Sequence, residues 1–117
     1  QSERFALLIG ELGITELHHG DCIDADAHHI AKALTHSVVI HPPKDSKKRA
    51  FCKAESIKVP KDYIVRNHDI VDETEILIAT PRESQEKVRS GTWATVRYAR
   101  KTGKKVYIIR PDGTVCE

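Results

Sequence analysis

Residues 15–34 read Thr-Glu-Leu-His-His-Gly-Asp-Cys-Ile-Asp-Ala-Asp-Ala-His-His-Ile-Ala-Lys-Ala-Leu. Thr15 to His19 has the length of a short strand and stops at Gly20. Ala27, Ile30, Ala31 and Leu34 then recur at i, i+3, i+4 and i+7, which is one face of a helix. A strand, a turn of small and acidic residues and a helix make the first part of a parallel crossover.

The same alternation continues downstream. Ser37 to His41 (Ser-Val-Val-Ile-His) is a short β-branched run closed by Pro42-Pro43, as expected of a buried parallel strand. Residues 44–60 have no period and carry Lys44, Lys47, Lys48, Arg49, Lys53 and Lys58 against Asp45 and Glu55. They read as a long basic loop, either solvated or covering an anionic ligand. Pro60 suits a helix start, and that helix is expected to run to about Asp72 with Ile64, Asn67 and Val71 on one side. Glu75 to Thr80 (Glu-Ile-Leu-Ile-Ala-Thr) is a third strand, ended by Pro81. After a charged connector, Ser90 is a good N-cap for a helix that Gly103 stops. Lys105 to Arg110 is a fourth strand, and Pro111-Asp112-Gly113 signals a turn before a loose end.

Upstream, Phe5, Leu8, Ile9 and Leu12 fall at helical spacing, and Gly13 can serve as the left-handed stop of that helix. The expected fold class is therefore α/β: a Rossmann-like three-layer parallel sheet with strands at 15–19, 37–41, 75–80 and 105–110 and helices on both faces. Residues 1–117 are expected to form one domain. Such a domain normally opens with a strand, whereas this chain opens with a helix, so its first strand is expected to be missing. From the polar start Gln1-Ser2-Glu3-Arg4 no signal peptide is expected.

Composition narrows the classes. Hydrophobic residues are 39% and charged residues 31% of 117, an ordinary globular balance. A net charge of +2 is too small to argue for nucleic acid by itself. No apolar run approaches the ~20 residues that cross a bilayer. Three cysteines, Cys22, Cys52 and Cys116, are an odd and sparse set that predicts free thiols in a reducing, cytoplasmic compartment. The apolar positions of the first helix and of the Tyr63 helix predict a homo-oligomer.

In open parallel sheets ligands sit beyond the carboxyl ends of the strands, which directs attention to residues 20–26, 42–48, 81–92 and 111–113, and the helix that begins near Pro60 adds a further candidate, Arg66. Gly20, Asp21, Cys22, Asp24 and Asp26 lie between a strand and a helix. There the acids either accept hydrogen bonds from ribose or a base, or cap the helix. Pro81, at the end of the third strand, is a candidate with Ser90, Gly91, Thr92 and Thr95, which open the next helix. Hydroxyls beside unpaired N–H groups suit phosphate oxygens, although the same residues also make a plain N-cap. Arg66, next to Asn67, either clamps a phosphate with two N–H groups or pairs at the surface with Asp69 or Asp72. Trp93 either stacks on a base or joins the core.

The seven histidines include the pairs His18-His19 and His28-His29. Their spacing matches no closed four-ligand zinc pattern, and neighbours on a strand point to opposite faces. One member of the first pair can reach a ligand pocket, but no metal and no other cofactor is expected. Cys22 has no base partner to make it a nucleophile.

The runs Leu-His-His-Gly-Asp-Cys-Ile-Asp-Ala-Asp-Ala, Val-Val-Ile-His-Pro-Pro, Lys-Arg-Ala-Phe-Cys, Tyr-Ile-Val-Arg-Asn-His-Asp-Ile-Val-Asp, Glu-Ile-Leu-Ile-Ala-Thr-Pro and Ser-Gly-Thr-Trp-Ala-Thr-Val-Arg-Tyr-Ala-Arg occur in order from about Leu12 to Gly113. Together they resemble the YpsA-related branch of the SLOG superfamily. The resemblance implies a Rossmann-like domain that binds nucleotides or their derivatives. It also implies that Ser90, Gly91 and Thr92 correspond to the phosphate loop and that Gly20–Asp26 lines the same pocket.

Three departures matter. The family's first strand and its loop are absent, and Asp24 stands where relatives carry Gly. Trp93-Ala94-Thr95 stands where the LOG phosphoribohydrolases of the superfamily have a catalytic Glu. Without that acid the stabiliser of an oxocarbenium-like transition state is gone. The leading expectation is thus a module that binds or senses a phosphorylated nucleotide. The alternatives are an N-glycosidic nucleotide hydrolase that uses Asp21, Asp24 or Asp26, and DprA-like binding of single-stranded DNA. With 5% aromatic residues, stacking platforms for nucleic acid are scarce.

Overall fold

The left-handed turn expected at Gly13 forms, with φ at 63°, and ends the first helix, α1 (Ser2–Leu12). The computed structural model describes residues 1–21, 26–54, 56–82, 85–86 and 90–117, and only the backbone of Ser2, Asp26 and Ala27. After α1 come β1 (Glu16–His19), α2 (Asp26–Leu34), β2 (Ser37–Ile40), β3 (Ser56–Ile57), α3 (Tyr63–Asp72), β4 (Ile76–Ala79), α4 (Gly91–Lys101), β5 (Lys105–Ile109) and β6 (Val115–Cys116). A short 3-10 turn, Ser46–Lys48, interrupts the basic segment. No helix among the described residues is long and apolar enough to cross a membrane.

The strands form two sheets rather than the single sheet expected from the alternation. In the first, β1-β2-β3, all pairs are parallel, with His18 opposite Val39 and Val39 opposite Ser56. In the second, β4 and β5 are parallel with Ile78 opposite Tyr107, whereas β6 returns antiparallel with Cys116 opposite Ile108. The residues after Gly113, expected to be loose, are therefore paired. Among the described residues β1 pairs only with β2, and β4 only with β5. Between β1 and β4 lies a cleft of about 600 Å3, flanked by α1 and the last turn of α3.

The second sheet holds most of the apolar core, and strand periodicity divides it between two faces. Ile78, Tyr107 and Ile109 pack against Phe5, Leu8 and Ile9 of α1. Ala79, Val106 and Ile108 pack on the other face against Val71 of α3 and Trp93, Val96 and Ala99 of α4. Helices thus cover both faces of this sheet. The first sheet packs on α2 through Ala31, Val38 and Ile40.

Two helices turn faces that apolar periodicity alone does not predict. In α3 the buried residues are Arg66 and Val71, while Ile64 is 68% exposed. In α2 His28 is buried with Ala31, while Leu34 is exposed. In both cases a polar side chain with a hydrogen-bonding partner inside the fold takes the inner face.

Candidate functional site

Where β1 ends, Asp21 adopts φ 53°, a left-handed conformation that Asp tolerates better than most residues. Its side chain is fully buried. One carboxylate oxygen accepts the Cys52 N–H at 2.9 Å, and the other accepts Arg49 Nε–H at 2.9 Å. The Asp21 carbonyl also accepts the Ala50 N–H. Burial raises the Asp21 pKa, but the bonds from the Cys52 N–H and Arg49 outweigh it and hold the carboxyl below its usual range. Asp21 therefore fastens residues 49–52 of the basic segment to the end of β1. Both of its oxygens serve the fold, rather than standing open for a ribose or a base.

Arg66 reaches the same turn from α3. It is 3% exposed, so the surface pairing with Asp69 or Asp72 does not occur. Nη1–H donates to the Gly20 carbonyl at 2.9 Å, and Nε–H to Asn67 Oδ1 at 3.3 Å. The guanidinium lies so close to Gly20 that a Cβ there would be 3.0 Å from it. It also sits 4.8 Å from the centroid of the Tyr63 ring, a cation–π arrangement. Tyr63 in turn lies against Gly91 at the start of α4, where any Cβ would overlap the ring. Gly20, Arg66, Tyr63 and Gly91 are thus a continuous chain of contacts. It joins two of the turns that the sequence singles out, with Asp21 and Asn67 beside it.

The other predicted site residues divide as follows. Ser90 caps α4 by accepting the Trp93 N–H at 3.4 Å. Thr95 donates its hydroxyl to the Gly91 carbonyl at 2.9 Å, inside the helix. Thr92 is partly buried in the first turn of α4, where backbone N–H groups lack helical partners. Pro81 is buried, and its carbonyl accepts the Gln1 side-chain amide at 2.8 Å. Trp93 belongs to the core, at 4% exposure, and does not face the strand-end turns as a stacking platform. Cys22 and Asp24 lie outside the described residues, and of Asp26 only the backbone, at the start of α2, is described. Cys52 and Cys116 are free thiols.

The histidines are organised in a way that local spacing does not reveal. His18 and His19 point to opposite faces of β1, and each meets a histidine from elsewhere. His19 Nδ1 accepts the Asp21 N–H at 3.0 Å, which leaves Nε2–H to donate to His28 Nδ1 at 2.9 Å. On the other face His18 Nδ1 lies 2.7 Å from His41 Nε2, while its Nε2–H donates to Glu16 at 2.7 Å. Burial, with the neighbouring His28, pushes the His19 pKa down to about 4. Burial, with the neighbouring His18, does the same to His41, also to about 4. Both rings are therefore neutral near pH 7. The parallel register offers a signal for the second pair, since His18 lies opposite Val39 and His41 falls on the same face two residues on.

No protein-family model, no curated protein and no solved structure matches this chain.

Proposed function

We propose that this domain binds a phosphorylated nucleotide or a nucleotide derivative at the carboxyl ends of β1 and β4, as its resemblance to the SLOG superfamily implies. The observation that carries the reading is the contact chain from Gly20 through Arg66 and Tyr63 to Gly91. It brings two small-residue turns, each leading from a strand end towards a helix, to either side of one buried cation. In this reading the N–H groups of Gly91 and Thr92 and the hydroxyls of Ser90 and Thr92 receive the phosphate. Arg66 shapes the Gly20 turn and adds positive potential behind it. The engagement of both Asp21 oxygens favours binding over hydrolysis by that acid. The two sheets are then halves of one Rossmann-like arrangement, and the cleft between β1 and β4 is the place of a strand that would join them. Pairing between copies is proposed through the exposed Tyr63, Ile64 and Val65 of α3, and a monomer mass by light scattering would count against it.

The test is titration calorimetry with AMP, GMP, CMP and UMP. At least one is expected to bind, and Thr92→Val, which removes a hydroxyl at nearly constant volume, should weaken it about tenfold, or ~1.4 kcal/mol. Substitution at Gly91 is a poorer test, because any side chain there displaces Tyr63. A folded chain that binds none of the four, or a Thr92→Val variant that binds as the parent does, contradicts the reading.

A further inference from the structure

We propose that His18, His41 and Glu73 form a binding site for a divalent transition-metal ion of the zinc class. Each offers one donor atom, and the three atoms lie within 4.8 Å of one another. The fold brings them together from three elements. His18 stands on the face of β1 away from α2, His41 follows β2 on that same face, and Glu73 caps the carboxyl end of α3. His41 is 3% exposed and the His18 side chain 7%, so two imidazoles meet with little water around them.

The hydrogen-bonding pattern prepares His18 as a ligand. Glu16 accepts from Nε2–H at 2.7 Å, which fixes the tautomer and leaves the Nδ1 lone pair directed at His41. A carboxylate behind a ligating histidine is a common support in metal sites. Without an ion, one hydrogen lies between Nδ1 of His18 and Nε2 of His41. An ion takes its place when His41 carries its hydrogen on Nδ1 instead, so no proton is gained or lost by the pair. Zinc–nitrogen bonds of ~2.0–2.1 Å at a tetrahedral angle need the two nitrogens roughly 3.3 Å apart. The present 2.7 Å therefore has to open by only a few tenths of an ångström.

Glu73 supplies the third ligand and part of the compensating charge, with Glu16 behind His18. Its Oε1 lies 3.4 Å from Lys58 Nζ, an exposed contact that an ion replaces at modest cost. Glu73 is also the route of entry, since its side chain is 39% exposed. Two imidazoles and one carboxylate select zinc-class ions over calcium or magnesium, which prefer all-oxygen sites, and leave one position for water or another ligand.

The experiment is calorimetric titration of the metal-stripped full chain with Zn2+ alone, with histidine ring 15N resonances followed in parallel. One ion per chain is expected. The His18 and His41 resonances should move, and those of His29 and His68 should not. Cys22→Ser/Cys52→Ser/Cys116→Ser should still bind, which excludes adventitious thiol binding. Glu73→Gln, at an exposed position, should weaken binding at least about tenfold. A folded parent that takes up no equivalent of zinc overturns the proposal. So does binding that disappears with the cysteines, or that is unchanged by Glu73→Gln. None of these outcomes depends on whether a nucleotide binds.

Discussion

The two sheets differ in what they bury. The second, β4-β5-β6, is packed on both faces by aliphatic and aromatic side chains, with Ile108 and Ile109 almost wholly inaccessible. Around the first, β1-β2-β3, gather the four buried polar or charged side chains among the described residues: Asp21, His28, His41 and Arg66. Burying such groups costs free energy unless each is hydrogen-bonded, and each of these four has partners inside the fold. The second sheet thus carries stability, whereas the first uses part of it to hold polar groups in fixed positions. Proteins tend to place chemistry in the latter kind of region.

Acid should separate the two regions most sharply. His19 and His41 have pKa values lowered to about 4 in the folded chain, against 6.5 for the free side chain. The unfolded chain therefore takes up protons first as pH falls. The stability these rings contribute is complete above about pH 6.5 and is lost as pH drops from there towards 4. At ~1.4 kcal/mol per pH unit the loss is at most about 3.5 kcal/mol for each ring. Urea denaturation of the metal-free chain across that range measures it, and His19→Asn should flatten the dependence. If stability is level between pH 6.5 and 4, the first sheet does not bury neutral histidines as described.

A core truncation in the second sheet comes next. Ile108→Ala should cost about 2–5 kcal/mol in denaturant unfolding and leave zinc affinity unchanged, because the residue packs in the apolar cluster of the second sheet with α3 and α4. A comparable loss of zinc binding in a folded Ile108→Ala chain would show that the division between the sheets is not real. Asp21→Asn is expected to have the smaller effect, about 1.5–3 kcal/mol, through its bonds to Arg49 and Cys52. Hydrogen exchange should rise at Ala50 and Cys52 before it rises in β5. Uniform loosening of both sheets would instead mark Asp21 as a general core residue.

How much of this was legible in the sequence follows the same division. The second sheet and its helices have periodic apolar residues, and β4, β5, α4 and the Gly13 stop lie where the pattern puts them. The four principal strands were legible, but not their separation into two sheets, because local periodicity says nothing about which edges pair. The two-residue strands β3 and β6 have no period to read. The inward turn of Arg66 and His28, and the outward turn of Ile64 and Leu34, depend on partners that hydrophobicity does not reveal. The His18–His41 contact spans 23 residues and escapes any search for local ligand spacing. At the strand ends, the small-residue turns that hold Gly20 and Gly91 are legible in the sequence. What approaches them, Arg66 and Tyr63, was visible only in three dimensions.

The proposed nucleotide site lies at the turns joined by Arg66 and Tyr63. The most direct measurement is a backbone-amide NMR titration of the full chain with the four nucleoside monophosphates. Saturable shifts are predicted at Gly20, Gly91 and Thr92, and should require the phosphate, so that the matching nucleoside leaves these amides unmoved. Shifts confined to other surfaces, or none with any of the four in a folded chain, would contradict the account.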